Sequence, residues 1–227
     1  MTAKDMFSHR VSILTGHYGT GKTEVSVNLA LALAAEGEQV MLADLHIVNP
    51  YFRSRERRPL LEKAGVRVIS SSQACSDADV PALPAELLTI LENREIRGIL
   101  DIGGDPVGAR VLARFQPKIV QEDYQLIFVL NANRPEVRDA ESAAAYLRSI
   151  EAVTGLTCSG LVNNTHLCGE TTPAEIRKGA ALAQEVSRQT GIPILCHTAE
   201  RRFLESLSDL GEPVFPIAIN MKKPWER

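Results

Sequence analysis

Gly16-His17-Tyr18-Gly19-Thr20-Gly21-Lys22-Thr23 satisfies the pattern G-x-x-x-x-G-K-[ST]. The stretch before it, Val11-Ser12-Ile13-Leu14-Thr15, has the β-branched, apolar character of a buried strand. The stretch after it, Glu24 to Glu36, reads as a helix closed by Gly37. Strand, glycine loop and helix therefore fall in the order that a phosphate loop requires. Glycines let the backbone curl so that successive N–H groups face phosphate oxygens, at a helix N-terminus that already favours negative charge. Gly16, His17, Tyr18, Gly19, Thr20, Gly21, Lys22 and Thr23 are thus the expected nucleotide-binding residues, with Lys22 reaching the β and γ phosphates and the Thr23 hydroxyl on Mg²⁺.

Outward from this loop, apolar strand-like runs alternate with helical stretches. That rhythm predicts an α/β fold with a parallel sheet covered by helices on both faces. Strands are expected at 10–15, 39–43, 66–70, 97–102, 124–130, 156–162, 192–196 and 213–217, and helices near 22–36, 84–95, 135–153, 173–190 and 199–210. Thr172-Pro173-Ala174-Glu175 combines a T-x-x-E capping box with proline at the first helical position, and Pro135 marks another helix start. The basic, aromatic run from Asn49 to Pro59 and the Ser-, Asp- and Pro-rich run from Ser70 to Pro84 break the rhythm and read as loops on the ligand side. With 227 residues, no internal repeat and no linker, residues 1–227 are expected to form a single domain.

Composition narrows the partners. A net charge of −3 gives no general affinity for nucleic acid. No apolar run is long enough to span a bilayer, and the N-terminus lacks the apolar core of a signal peptide, so a cytoplasmic protein is expected. The four cysteines, Cys75, Cys158, Cys168 and Cys196, have no C-x-x-C spacing and read as reduced thiols. A composite metal site with His166 or His197 is the alternative to their being small buried hydrophobes.

A phosphate loop needs a further carboxylate for Mg²⁺, usually at the end of a neighbouring buried strand. Asp101 ends Gly98-Ile99-Leu100-Asp101 and opens Ile102-Gly103-Gly104-Asp105, where the glycines, Gly104 among them, let the backbone swing towards a γ-phosphate. Asp44 ends Gln39-Val40-Met41-Leu42-Ala43-Asp44, aimed at the crevice where open α/β sheets bind ligands. The expected metal set is Thr23, Asp44 and Asp101.

The order of phosphate loop, long helix and strand with terminal Asp44 resembles the MinD/ParA/CobQ/CobB nucleotide-binding proteins. So do Leu130 to Asp139, Ile192-Pro193-Ile194 and Gly211-Glu212-Pro213-Val214, in order. Gly16 to Glu24 with Asp44 to Glu56 is similar, more narrowly, to an uncharacterised bacterial set of ATP-binding proteins within that group. The resemblance implies a three-layer P-loop NTPase fold with a mostly parallel sheet of seven or eight strands, and often a homodimer with nucleotide at its interface. It also implies a base-reading asparagine after a late strand, which matches Asn163 or Asn164. The guanine-reading N-K-x-D is absent, which favours ATP over GTP.

Two departures from the family qualify the reading. His17 and Tyr18 stand where MinD and ParA proteins have a dimer-crossing lysine and a glycine, so Arg53, Arg55, Arg57 or Arg58 would have to supply such a charge. His46 stands where many relatives carry a water-positioning carboxylate; it can orient a water or accept its proton. The candidate catalytic residues are Lys22, Asp44 and His46. The expected function is a slow ATPase acting as a nucleotide-dependent switch for a protein or small-molecule client. The alternative is an ATP-dependent kinase or ligase resembling dethiobiotin synthetase or the cobyrinate amidases.

Overall fold

A computed structural model of the chain describes residues 1–46, 54–70 and 86–221. In chain order the elements are α1 (Ala3–Met6), β1 (Val11–Thr15), α2 (Lys22–Ala35), β2 (Gln39–Leu45), α3 (Arg58–Lys63), β3 (Arg67–Ser70), α4 (Glu86–Glu92) and β4 (Ile96–Ile102). They continue with α5 (Pro106–Ala109), α6 (Gln116–Ile119), β5 (Tyr124–Leu130), α7 (Ala140–Thr154), β6 (Cys158–Asn163), α8 (Pro173–Thr190), β7 (Ile194–Glu200) and β8 (Val214–Ile217). The strands form one eight-stranded sheet in the order β3-β2-β4-β1-β5-β6-β7-β8, and every pairing in it is parallel.

Side-chain alternation along the strands builds two cores at once. Val11 and Ile13 of β1 join Met41, Ala43 and Leu45 of β2 beneath α4, α7 and α8. On the opposite face Leu14, Val40, Leu42, Ile99 and Ile127 pack with α1 and α2, and with Leu61 of α3. A central strand covered twice has little room for unpaired polar groups, and within β1 Ser12 Oγ accepts Gln125 Nε2 of β5 at 2.8 Å inside the sheet. Because every strand runs the same way, Thr15, Leu45, Ile102, Leu130 and Asn163 end at one edge of the sheet. The chain turns from β1 into the loop 16–21 between the ends of β4 and β5, the crevice in which open parallel sheets take ligands.

Three local expectations fail. No helix covers 199–210: β7 runs on to Glu200, because Thr198 and Ala199 pair with Phe215 and Pro216 of β8, and two 3-10 turns follow. The helix expected from 135 begins as a 3-10 turn, and α7 starts only after Asp139, whose side chain accepts the Ser142 N–H. Thr172 does cap α8 with Pro173 behind it, yet makes no side-chain capping bond; Glu175 is engaged instead by Asn133 Nδ2 at 2.8 Å. The short helices α5 and α6, each with proline in its first turn, fall between β4 and β5, where no helix was expected.

Helix α8 approaches the end of β6 closely at Gly179, where an added Cβ would lie 2.0 Å from Thr165 Oγ1 and 2.1 Å from Asn163 Oδ1. Gly211, by contrast, has open space around it. Gly179→Ala is expected to lower stability by about 1–3 kcal/mol through overpacking, and Gly211→Ala by under ~0.5 kcal/mol, as read from thermal unfolding.

Candidate functional site

Gly16, Gly19 and Gly21 adopt φ values of 140°, 73° and 81°, a region that only glycine enters cheaply. Each also admits a close neighbour: an added Cβ would lie 2.4 Å from Val129 O at Gly16, 2.5 Å from the Arg134 guanidinium carbon at Gly19 and 2.2 Å from Asn164 Nδ2 at Gly21. Those neighbours hold the loop's carbonyls. Arg134 Nε and Asn131 Nδ2 donate to Gly19 O at 2.8 and 3.4 Å, and Asn164 Nδ2 donates to Thr20 O at 2.7 Å. Peptide planarity then turns the Gly21 N–H away from Asn164, towards the loop's interior. Gly21 caps α2 with no side-chain bond to the helix's first amides, which is the setting that favours an anion.

Lys22 is buried, and its Nζ donates to His17 O at 3.0 Å. Burial pulls its ammonium down to about 8, with Asp101 and Asp105 opposing the fall. Beneath it Asp44 and Asp101 are register partners on adjacent strands, both with no exposure to solvent. Burial pushes the Asp101 carboxyl up, against the His46 ring, the Lys22 ammonium and the Thr23 side chain that face it. A carboxylate held wholly out of water costs energy that a cation would help to recover. Thr23 at the head of α2 and the two aspartates would offer hard oxygen donors of the kind Mg²⁺ takes. Among the described residues no group of three or more His, Cys, Asp or Glu side chains forms a metal cage, so the composite cysteine site has no counterpart there; Cys75 lies outside them.

His46 belongs to the same cluster. Its N–H donates to Asp44 Oδ1 at 3.0 Å, and its Nδ1 lies 3.2 Å from that oxygen and 3.6 Å from Asp101 Oδ2. Burial works against its charge, but Asp101 and Asp44 outweigh it and raise the imidazole's affinity for a proton. Its Nδ1 faces both carboxylates, which places the ring where it can act on a group held between them.

The loop after β4 meets the phosphate loop through glycine: an added Cβ on Gly104 would lie 2.8 Å from Lys22 Nζ and 2.9 Å from Tyr18 N. Tyr146 hydroxyl donates to Gly104 O, and Tyr18 hydroxyl donates to the Asp105 carboxylate. Burial first, then Asp105, pushes the Tyr18 phenol up to about 12. The His17 ring packs edge-on against Tyr146 with centroids 5.0 Å apart. The unusual loop members His17 and Tyr18 thus tie the phosphate loop to α7 and to the Gly104 loop.

The two asparagines after β6 have separate surroundings. Asn163 is fully buried; it donates to Ile176 O at 3.0 Å, lies 3.1 Å from His197 Nδ1 and accepts the Thr165 N–H. That amide is spent within the fold. Asn164 accepts from the Thr198 hydroxyl and lines a pocket beside Gly21 with His166, Thr171, Ile217 and Ile219. His166 Nδ1 accepts the Cys168 N–H at 3.3 Å, and burial, then Arg134, lowers its pKa to about 4, so its ring is neutral at pH 7 with the proton on Nε2.

Sequence reasoning missed Arg134, Tyr146 and Asp105. An arginine following Leu130-Asn131-Ala132-Asn133 at a strand's carboxyl end was the available signal for the first. Of the arginines expected as sources of a dimer-crossing charge, Arg53 and the Arg55 side chain lie outside the described residues, Arg57 ends a 3-10 turn before α3, and Arg58 is engaged with Glu62 and Ser70.

No family model and no curated protein matches the chain. Among solved structures it is similar to the signal recognition particle 54 kDa protein from Aeropyrum pernix K1 in complex with GDP, at 22% identity over 82% of this chain and 40% of that one, TM-score 0.51. The cell division protein FtsY from Thermotoga maritima matches at 23% identity over 81% of this chain and 59% of that one, TM-score 0.54. The signal recognition particle receptor FtsY from Elizabethkingia anophelis in complex with GDP matches at 16% identity over 81% of this chain and 55% of that one, TM-score 0.51. This chain therefore spans 40 to 59% of the length of those proteins. At such identities the likeness establishes the fold, an α/β P-loop NTPase fold with a parallel sheet.

Asn164 bonds both the phosphate loop, at Thr20 O, and β7, at the Thr198 hydroxyl. Asn164→Ala is expected to cost about 1–3 kcal/mol by leaving Thr20 O without its buried donor, measured as a loss in denaturant unfolding free energy.

Proposed function

We propose that the chain is a single nucleotide-binding domain that takes Mg-ATP and hydrolyses it slowly, acting as a nucleotide-dependent switch for a client. The observation that carries this reading is the buried Lys22 ammonium folded against its own loop, with the wholly buried Asp101 carboxyl close enough to act on its charge. A cation and an acceptor held out of water in this way are matched to a polyphosphate and its metal. Lys22 would bind the β and γ phosphates, amides of 16–23 would cradle them, and Gly104, beside Lys22 Nζ, would meet the terminal phosphate. Bound Mg²⁺, held by Thr23, Asp44 and Asp101, would supply charge neutralisation at the phosphates.

Asn164, rather than Asn163, is the candidate base reader, since it alone of the two lines the pocket beside Gly21. ATP is favoured because 163–168, Asn-Asn-Thr-His-Leu-Cys, carries no carboxylate in the guanine-reading position. Within the P-loop fold, Asp44 ending β2 and paired across to Asp101 supports the MinD/ParA/CobQ/CobB group. Arg134, whose Nε donates to Gly19 O, joins the arginines of 53–58 as a candidate second cation. A homodimer and a protein client fit a switch whose loops respond to nucleotide. No helix in the described residues is long and apolar enough to cross a membrane.

Two measurements test this function. Lys22 sits near 8 in the free protein, and polyphosphate must raise it; binding therefore takes up a proton above pH 8 and none well below it. Calorimetry at pH 9 in buffers of different ionisation heat is expected to give uptake approaching one proton per ATP, and affinity that weakens as pH rises. Zero uptake together with pH-independent affinity would remove Lys22 from the phosphates. His46→Ala is expected to slow turnover by about 10-fold or more while ATP affinity stays within about twofold. Unchanged turnover would confine His46 to holding the two carboxylates.

A further inference from the structure

The residue that follows Thr23 turns its carboxylate onto the chain's last described turn. Glu24 Oε1 accepts the Asn220 N–H at 2.8 Å, and Oε2 accepts the Met221 N–H at 2.9 Å. One helical turn later, Asn28 accepts the Ala218 N–H at 2.8 Å and donates to Ala218 O at 2.9 Å, as a neighbouring strand would. Asn28 also donates to Glu24 Oε1 at 3.1 Å, so the two side chains, four residues apart on one face of α2, act as a unit. Between them they hold four backbone groups of residues 218–221.

That segment continues directly from β8, and Ile217 and Ile219 form one side of the pocket beside Gly21. Among the described residues Ile219 is an exposed apolar side chain, at 53%. The same pocket's other side is Asn164, which bonds the phosphate loop at Thr20 O. Both walls are therefore fastened to one unit, the phosphate loop and the first turns of α2. We propose that Glu24 and Asn28 are positioning residues for the nucleobase: they fix the Ile217–Ile219 surface in place, as an apolar shelf on which a base would lie, while taking no part in holding phosphate. This rests on the nucleotide reading above and adds to it a second recognition element, built from the chain's C-terminal segment. A ligand with phosphates and no base would not depend on this wall.

The test titrates the full chain, and its Glu24→Gln, Asn28→Ala and Ile219→Ala variants, with ATP and with inorganic tripolyphosphate, each with Mg²⁺, by calorimetry. Glu24→Gln keeps the shape and loses an acceptor for one of two amides, and Ile219→Ala changes an exposed side chain, so folding of at least the latter is secure. Each variant is expected to weaken ATP by about 5- to 10-fold and to leave tripolyphosphate within about twofold. Equal weakening of both ligands, or unchanged ATP binding in Ile219→Ala, overturns the proposal. Wild-type protein that binds tripolyphosphate as tightly as ATP also overturns it, while leaving the phosphate reading in place. Failure of the wild type to bind either ligand removes the nucleotide reading, and this inference with it.

Discussion

Two carboxylates on adjacent strands, Asp44 and Asp101, lie wholly out of water beneath a buried lysine. A protein of marginal stability does not keep a fully buried ionisable group like Asp101 in its core without compensation, since the penalty is several kcal/mol. Within the fold, that compensation is electrostatic: His46 at 3.6 Å and the nearby Lys22 ammonium oppose the effect of burial on Asp101. The arrangement depends on the parallel sheet, which delivers both aspartates to the same edge. It also depends on α2, which starts with Lys22 and Thr23 directly over them. A helix displaced by one residue would lose this register, and the loop glycines are what prevent that displacement.

The loop's shape is maintained from outside. Asn131 and Arg134 after β5, and Asn164 after β6, hold the carbonyls of Gly19 and Thr20. Tyr18 and Tyr146 bind the loop after β4 across the front, through Asp105 and Gly104. The phosphate loop is thereby connected to three strand ends at once, and a change at any of them reaches it through hydrogen bonds rather than through loose packing. Such connections are what a nucleotide-dependent switch needs, because the loop after β4 can respond only if its contacts with 16–23 are specific.

Much of this was legible in the residues. The strand-loop-helix setting of 11–36, the positions of Asp44 and Asp101 and the parallel sheet follow from local pattern, since buried parallel strands are continuous apolar runs and end in functional residues. What was illegible depends on tertiary neighbours. Residues 199–210 look helical in isolation, but β8 offers Thr198 and Ala199 a ladder, and pairing wins over propensity. Asn163 and Asn164 are identical neighbours in sequence, and only their surroundings where β6 ends commit one amide to Ile176 and the other to the phosphate loop. Arg134 had no motif to announce it; its importance comes from Gly19 lying within reach. The anchoring of 218–221 by Glu24 and Asn28 spans more than 190 positions and has no local signature.

The central claim is that the Asp44–Asp101 pair is a cation site completed by nucleotide. Mg²⁺ dependence of ATP affinity, measured calorimetrically in the wild type and in Asp101→Asn, tests it most directly. The account predicts that removing Mg²⁺ weakens ATP binding to the wild type by about tenfold or more and hardly alters the variant, whose affinity is already low. An Asp101→Asn variant that keeps the full Mg²⁺ effect would contradict it.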